Sequence, residues 1–126
     1  MIELEHRFNC SADALWAIVG DPGRSDWVPG VTELTMEGDV RRMQMEGAGV
    51  VAEQIFRVDD AARVIEYGVV ESTPPLAKHR ASITVVAQDE GCIMRWTTEV
   101  EPQPVEQFIR ASMTQCLARI ETLTGA

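Results

Sequence analysis

Five polar or aromatic side chains fall where strand alternation would converge them on one apolar cavity: Gln54, Tyr67, His79, Trp96 and Thr98. Within residues 50–58 the even positions Val50, Ala52, Phe56 and Val58 are apolar, with Gln54 among them, while the odd positions include Glu53 and Arg57. Alternating side chains point to opposite faces, so Gln54 and Phe56 are expected inside and Glu53 in water. Corresponding inward sets are Ile65, Tyr67 and Val69, then His79, Ala81, Ile83 and Val85, then Cys92, Met94, Trp96, Thr98 and Val100. Imidazole titrates near neutral pH and a phenol can donate to an enolate oxygen. His79 as general base and Tyr67 as proton donor are therefore the catalytic candidates, for proton transfer on a carbonyl compound.

Each of these residues also has a structural reading. Tyr67 and Trp96 can be core aromatics with one satisfied donor. Gln54 can bond a neighbour, and His79 can sit solvated at a rim. His6 shares the apolar face of the first alternating segment and reads as a structural histidine. The chain shows no inward carboxylate pair, no Ser/His/Asp pattern and no phosphate-cradling glycine loop. Cys10, Cys92 and Cys116 lack any paired spacing and read as free thiols rather than a zinc site or disulfide framework. No metal and no cofactor are expected.

The elements that must position these residues follow one another simply. Ile2, Leu4, His6 and Phe8 alternate with Glu3, Glu5 and Arg7 as a first strand. Ser11 caps a short helix through Val19, with Asp13 in its first turn, and Asp21-Pro22-Gly23 stops it. Residues 24–28 are expected to form a second short helix before Pro29-Gly30. Six strands then follow at Val31–Glu37, Val40–Glu46, Val50–Val58, Arg63–Glu71, Lys78–Gln88 and Cys92–Glu101, parted by Gly, Asp and Pro turns. Their short spacing implies an antiparallel meander. A last helix runs from about Val105 to Leu123, with Pro104 at its first position and Gly125 at its stop. Val105, Phe108, Ile109, Met113, Cys116, Leu117, Ile120 and Leu123 form its apolar stripe.

The expectation is thus an α+β fold over residues 1–126 as one domain: a curved seven-stranded antiparallel sheet around a long C-terminal helix, with two short helices after the first strand. One helix is too narrow to fill a concave sheet, which leaves room for a pocket. Met113 and Leu117 on the helix, with Phe56 on the sheet, would add apolar lining. Met36, Met43, Met45 and Met94 read as adaptable core filler.

Eleven Lys and Arg against twenty Asp and Glu give a formal net charge of −9. Nucleic-acid binding requires cationic side chains to displace phosphate counterions, and Arg41-Arg42 is the only basic pair, so nucleic acid is not an expected partner. The same balance opposes docking on anionic lipid. No apolar run reaches membrane-spanning length, and a cytoplasmic location is expected.

The order of elements resembles the helix-grip (SRPBCC) superfamily of START lipid carriers, birch-pollen-type plant allergens and bacterial polyketide cyclases. The likeness covers the whole chain. It is carried by Cys10-Ser11-Ala12-Asp13-Ala14-Leu15-Trp16, Trp27-Val28-Pro29-Gly30-Val31, Val51-Ala52-Glu53-Gln54-Ile55 and Gly91-Cys92-Ile93-Met94-Arg95-Trp96. It looks closest to the bacterial polyketide cyclase/dehydrase and lipid-transport family. The resemblance implies an internal site for a small hydrophobic molecule and puts Trp27 at its mouth, as gate or as cover. In the cyclases a pocket arginine is commonly given a catalytic role; the similar position here is Gln54, which carries no charge. Three functions stay open: a carrier of a lipid-, polyketide- or steroid-like ligand, a cofactor-independent cyclase/dehydratase or isomerase, and a protein-interaction module of the chaperone-activator type.

Overall fold

The computed structural model describes residues 1–125; Ala126, the last residue of the expected domain, lies outside them. Strand β1 (Ile2–Phe8) is followed by helix α1 (Ala12–Val19). Strands β2 (Val31–Glu37), β3 (Val40–Met45), β4 (Gly49–Asp59), β5 (Val64–Glu71), β6 (Lys78–Ala87) and β7 (Cys92–Glu101) come next, and helix α2 (Glu106–Thr124) closes the chain. The strands form one seven-stranded antiparallel sheet in the order β1-β7-β6-β5-β4-β3-β2. From β2 onward it is a plain meander, and β1 returns to pair with the last strand, Leu4 opposite Trp96. No helix among the described residues is long and apolar enough to cross a membrane.

Helix α1 begins as its residues dictate. Ser11 accepts a hydrogen bond from the Ala14 amide at 3.1 Å and so satisfies one of the free N–H groups of the first turn. Leu15, Ile18 and Val19 are buried, and the helix ends at Gly20, where any Cβ would collide with the Trp16 indole. The second short helix expected at 24–28 does not form. Only isolated turn bonds close there, Arg24 N–H to the Asp21 carbonyl and Val28 N–H to that of Ser25. Pro22 and Pro29 flank the segment, neither can donate, and Gly30 has φ +93, so five residues cannot propagate a helix between them.

Pro104 lies in a 3₁₀ turn, Gln103–Val105, that precedes α2 rather than opening it. At the other end Gly125 adopts a left-handed φ of 71 and its amide bonds the Glu121 carbonyl, as the sequence implies. The buried seam of α2 is Met113, Cys116, Leu117 and Ile120, continued by the partly buried Ile109. Phe108 does not belong to the expected stripe: it is 69 % exposed. At 100° per residue it falls well to the side of the line through Ile109, Met113, Leu117 and Ile120. The seam meets Ile2, Phe8, Ile65, Ile83 and Met94, all fully buried, each contributing roughly 1.5–3 kcal/mol by leaving water.

Candidate functional site

Between the concave face of the sheet and α2 lies a cavity of about 190 Å³. Packed interiors contain few voids larger than a water molecule, so this space is a built feature rather than loose packing. One side is apolar: Trp27 and Val28 from the 20–30 loop, Trp96 from β7, and Ile109, Met113 and Cys116 from α2. Leu34, Met43, Met45 and Val51 extend it across β2, β3 and β4. The other side carries Arg41, Glu53, Tyr67 and His79, one from each of β3, β4, β5 and β6.

Trp27 is buried as a wall of the cavity. Its indole N–H donates to the Arg24 carbonyl at 3.2 Å, and its ring packs on Trp96 with centroids 5.7 Å apart. The loop that carries it is fixed at Asp26. Arg24 clasps Asp26 with two hydrogen bonds, of 2.7 and 3.0 Å, and Arg119 of α2 donates to the Asp26 carbonyl.

Tyr67 sits at the centre of the polar wall. Its hydroxyl accepts from the Trp96 indole N–H at 3.1 Å, which leaves its own proton to donate. Burial is the first cause that pushes this phenol well above its ordinary value, with the Glu53 carboxylate adding to it. The hydroxyl therefore stays protonated across the physiological range. Thr98, buried on β7 and separated from Tyr67 by Ala81 of β6, directs its hydroxyl to the Met113 sulfur at 3.5 Å.

His79 is tied down in an unusual way. The β5–β6 ladder runs from Val64↔Thr84 to Tyr67↔Ala81 and then stops. Beyond it the Val69 amide donates to His79 Nδ1 at 3.1 Å, so the side chain takes the place of a strand carbonyl. Gly68 permits this approach, since a Cβ there would collide with the His79 carbonyl oxygen. Because Nδ1 accepts, the neutral ring carries its proton on Nε2. Burial lowers the His79 pKa below its ordinary 6.5, only partly countered by Glu53. The ring is thus neutral near pH 7 and acts as a donor through Nε2–H.

The sequence pattern missed two residues of this wall. Arg41 is 5 % exposed; its Nε donates to Glu53 at 2.6 Å and its guanidinium lies 4.8 Å from the centre of the Tyr67 ring. Glu53 was expected in water but faces inward with Val51, opposite Val69. The expected inward set of β4 is corrected accordingly. Gln54 lies outside the cavity and bonds the Ile55 and Asp39 carbonyls. Phe56 is 49 % exposed beneath the Arg80 guanidinium. Two causes combine. An inward ion pair puts charge where alternation reads water, and register shifts at Ala52/Glu53 and Ile55/Arg57 break the period of two. The one available signal was the cross-strand match of Arg41 with Glu53, which requires knowing the β3–β4 register.

Of the residues expected to converge, Trp27, Tyr67, His79, Trp96, Thr98 and Met113 do line the cavity, whereas Gln54, Phe56 and Leu117 do not. Leu117 is buried in the seam of α2. His6 stands apart, bonded through Nε2 to Glu121 at 2.6 Å, where it joins β1 to the end of α2. Cys92 and Cys116 are buried free thiols, and burial pushes them up to about 11 and about 12, which makes neither a nucleophile near neutral pH. Among the described residues no group of three or more His, Cys, Asp or Glu is disposed to hold a metal ion.

The same architecture occurs in solved structures. An uncharacterized protein from Bacillus thuringiensis superposes with a TM-score of 0.86 at 15 % identity, covering 97 % of this chain and 96 % of that one. The protein XoxI from Bacillus cereus does so with a TM-score of 0.86 at 16 % identity, over 97 % and 93 %. Norcoclaurine synthase from Thalictrum flavum gives a TM-score of 0.71 at 23 % identity, over 94 % and 84 %. At such identities the likeness establishes the fold alone. A search among curated proteins finds no match to the chain. A family model does match, over residues 1–123, and the sheet, the helix and the cavity between them agree with it: the chain belongs to the polyketide cyclase/dehydrase and lipid transport family.

Proposed function

We propose that the protein binds a small, mainly apolar molecule in the cavity between the sheet and α2, and acts as a carrier or receptor for it. The observation that carries this reading is a cavity of about 190 Å³, walled largely by apolar side chains, that the protein's own residues leave unfilled. Pockets of this kind bury most of a ligand's surface and orient it with a few polar groups. Here Trp27 and Trp96 cover the apolar end, and Tyr67, His79 and Thr98 stand at the polar side. Native mass spectrometry of the purified protein tests it, supported by titration of the Trp27 and Trp96 fluorescence with small aromatic compounds. A retained mass or a saturable quench is expected. Neither signal at millimolar ligand would end the carrier reading.

A catalytic reading is favoured by one feature, the closeness of Tyr67 and His79, whose ring centroids are 6.1 Å apart on the same wall. In it, both groups polarise a substrate carbonyl as proton donors. The Val69 bond to Nδ1 suits His79 to donation better than to the role of general base expected from its residue type. With a substrate in hand, His79→Ala and Tyr67→Phe should each lower kcat while apolar binding persists. Unchanged rates in both variants would leave the carrier alone.

A further inference from the structure

The sheet side of the cavity holds more hydrogen-bond donors than the protein supplies acceptors for. Arg41 is 94 % buried by side chain, yet only its Nε has a partner, Glu53; its two terminal amino groups meet no acceptor among the described residues. His79 Nε2–H is likewise unused, because its partner Val69 takes Nδ1. The Tyr67 hydroxyl accepts from Trp96 and keeps its own proton to give. These groups come from β3, β5 and β6 and line the same cavity, with the guanidinium 4.8 Å and the imidazole 6.1 Å from the Tyr67 ring centre.

We propose that the cavity recognises a monocarboxylate, its carboxylate seated on Arg41, Tyr67 and His79 and its apolar body, about one ring in size, lying against Trp27, Trp96 and Met113. This rests on the reading of the cavity as a ligand site and names the ligand class. Donor count decides the class. The two terminal amino groups of Arg41 carry four N–H groups, two of them at the free edge, and His79 and Tyr67 add one each, six in all. A carboxylate offers about four lone-pair sites to fill them, a ketone two and a hydrocarbon none. Donors that a ligand seals from water without pairing are costly, so the fuller match wins. The free edge of a guanidinium is also a planar fork that suits two carboxylate oxygens, and Glu53 on the Nε side leaves that edge open. Glu53 is the opposing charge: it balances Arg41 in the free protein and limits the affinity for an anion. As for size, a cavity of about 150 Å³ accepts benzene, so about 190 Å³ suits one ring with a short carboxylate arm.

Three probes of one shape test this: phenylacetate, phenylacetone and isobutylbenzene, titrated into the wild-type protein by tryptophan fluorescence and calorimetry. Phenylacetate should bind roughly tenfold or more tighter than phenylacetone, since its hydrogen bonds are charge-assisted and leave fewer donors unpaired. Arg41→Met should erase that preference while isobutylbenzene binds as before, and Glu53→Gln should tighten phenylacetate. Should Arg41→Met fail to fold, the wild-type comparison and His79→Phe, which should weaken phenylacetate selectively, carry the test. Binding of the ketone or the hydrocarbon as tightly as the acid would overturn the carboxylate assignment and leave the cavity as a ligand site. Failure of all three to bind would overturn both.

Discussion

Removing Arg41 alone should destabilise the fold far more than removing the pair it belongs to. The Arg41–Glu53 bridge is 2.6 Å long, with the two side chains only 6 % and 12 % exposed. At an effective dielectric of about 20, that separation gives an attraction of roughly 6 kcal/mol. Desolvating the two ions costs several kcal/mol each, so the pair as a whole nearly breaks even against an apolar replacement. Truncation of one member keeps the desolvation cost of the other and forfeits the attraction. Arg41→Ala should therefore cost about 3–5 kcal/mol, while Arg41→Met combined with Glu53→Leu should fall within about 1–2 kcal/mol of wild type. Exposed pairs set the scale: Arg57→Ala, which breaks the bridges to Asp59 and Glu66 on the outer face, should move the unfolding midpoint far less than Arg41→Ala. Urea unfolding followed by far-UV circular dichroism reads all four proteins, and adding the single variants Arg41→Met and Glu53→Leu completes a double-mutant cycle that isolates the coupling. A loss below about 1 kcal/mol for Arg41→Ala would refute the reasoning, because it would mean that the pair is solvated and the polar wall is not part of the interior.

Other outcomes follow from the same geometry. His79 has a folded pKa below its ordinary 6.5, so the unfolded chain takes up its proton first; the stability this neutral ring contributes is whole above pH 6.5 and is lost as pH falls through and below that value, and His79→Gln should flatten this part of the midpoint-against-pH curve. Gly68→Ala should cost about 1–3 kcal/mol and speed hydrogen exchange at the Val69 amide, since a Cβ would push away the His79 backbone; an unchanged midpoint would show that β5 and β6 are not so closely apposed. Gln54→Ala and Phe56→Ala should leave the affinity for any cavity ligand within a factor of about two, as neither side chain lines the cavity, whereas a larger loss by fluorescence titration would restore the inward reading of the even positions of β4.

Local rules were enough to read most of the fold. Period-two alternation, turn residues and caps act within a few residues, so β2 and β7 begin and end where they were expected, and Ser11 and Gly125 cap the helices as predicted. The same rules overreached at residues 24–28, where helix-compatible side chains lie between two prolines too close together to allow a nucleus. They also placed Phe108 on the buried face of α2, because the partner surface that decides which face is buried is not part of the helix.

The chemistry of the site was legible only in part. Tyr67, His79, Trp96 and Thr98 sit on regular strands whose apolar neighbours point the same way, so parity alone sent them to the cavity. Tertiary structure decided the rest. Glu53 reads as surface charge, and Arg41 only as half of a basic pair, until the β3–β4 register sets them opposite each other, and burial is tolerable only because each neutralises the other. The tautomer of His79, and with it the choice between donor and base, depends on a Val69 amide ten residues away and on a missing Cβ at Gly68. Alternation is a property of one strand and can be read along the chain; the partner of a buried polar group is a property of two, and exists only once the strands are paired.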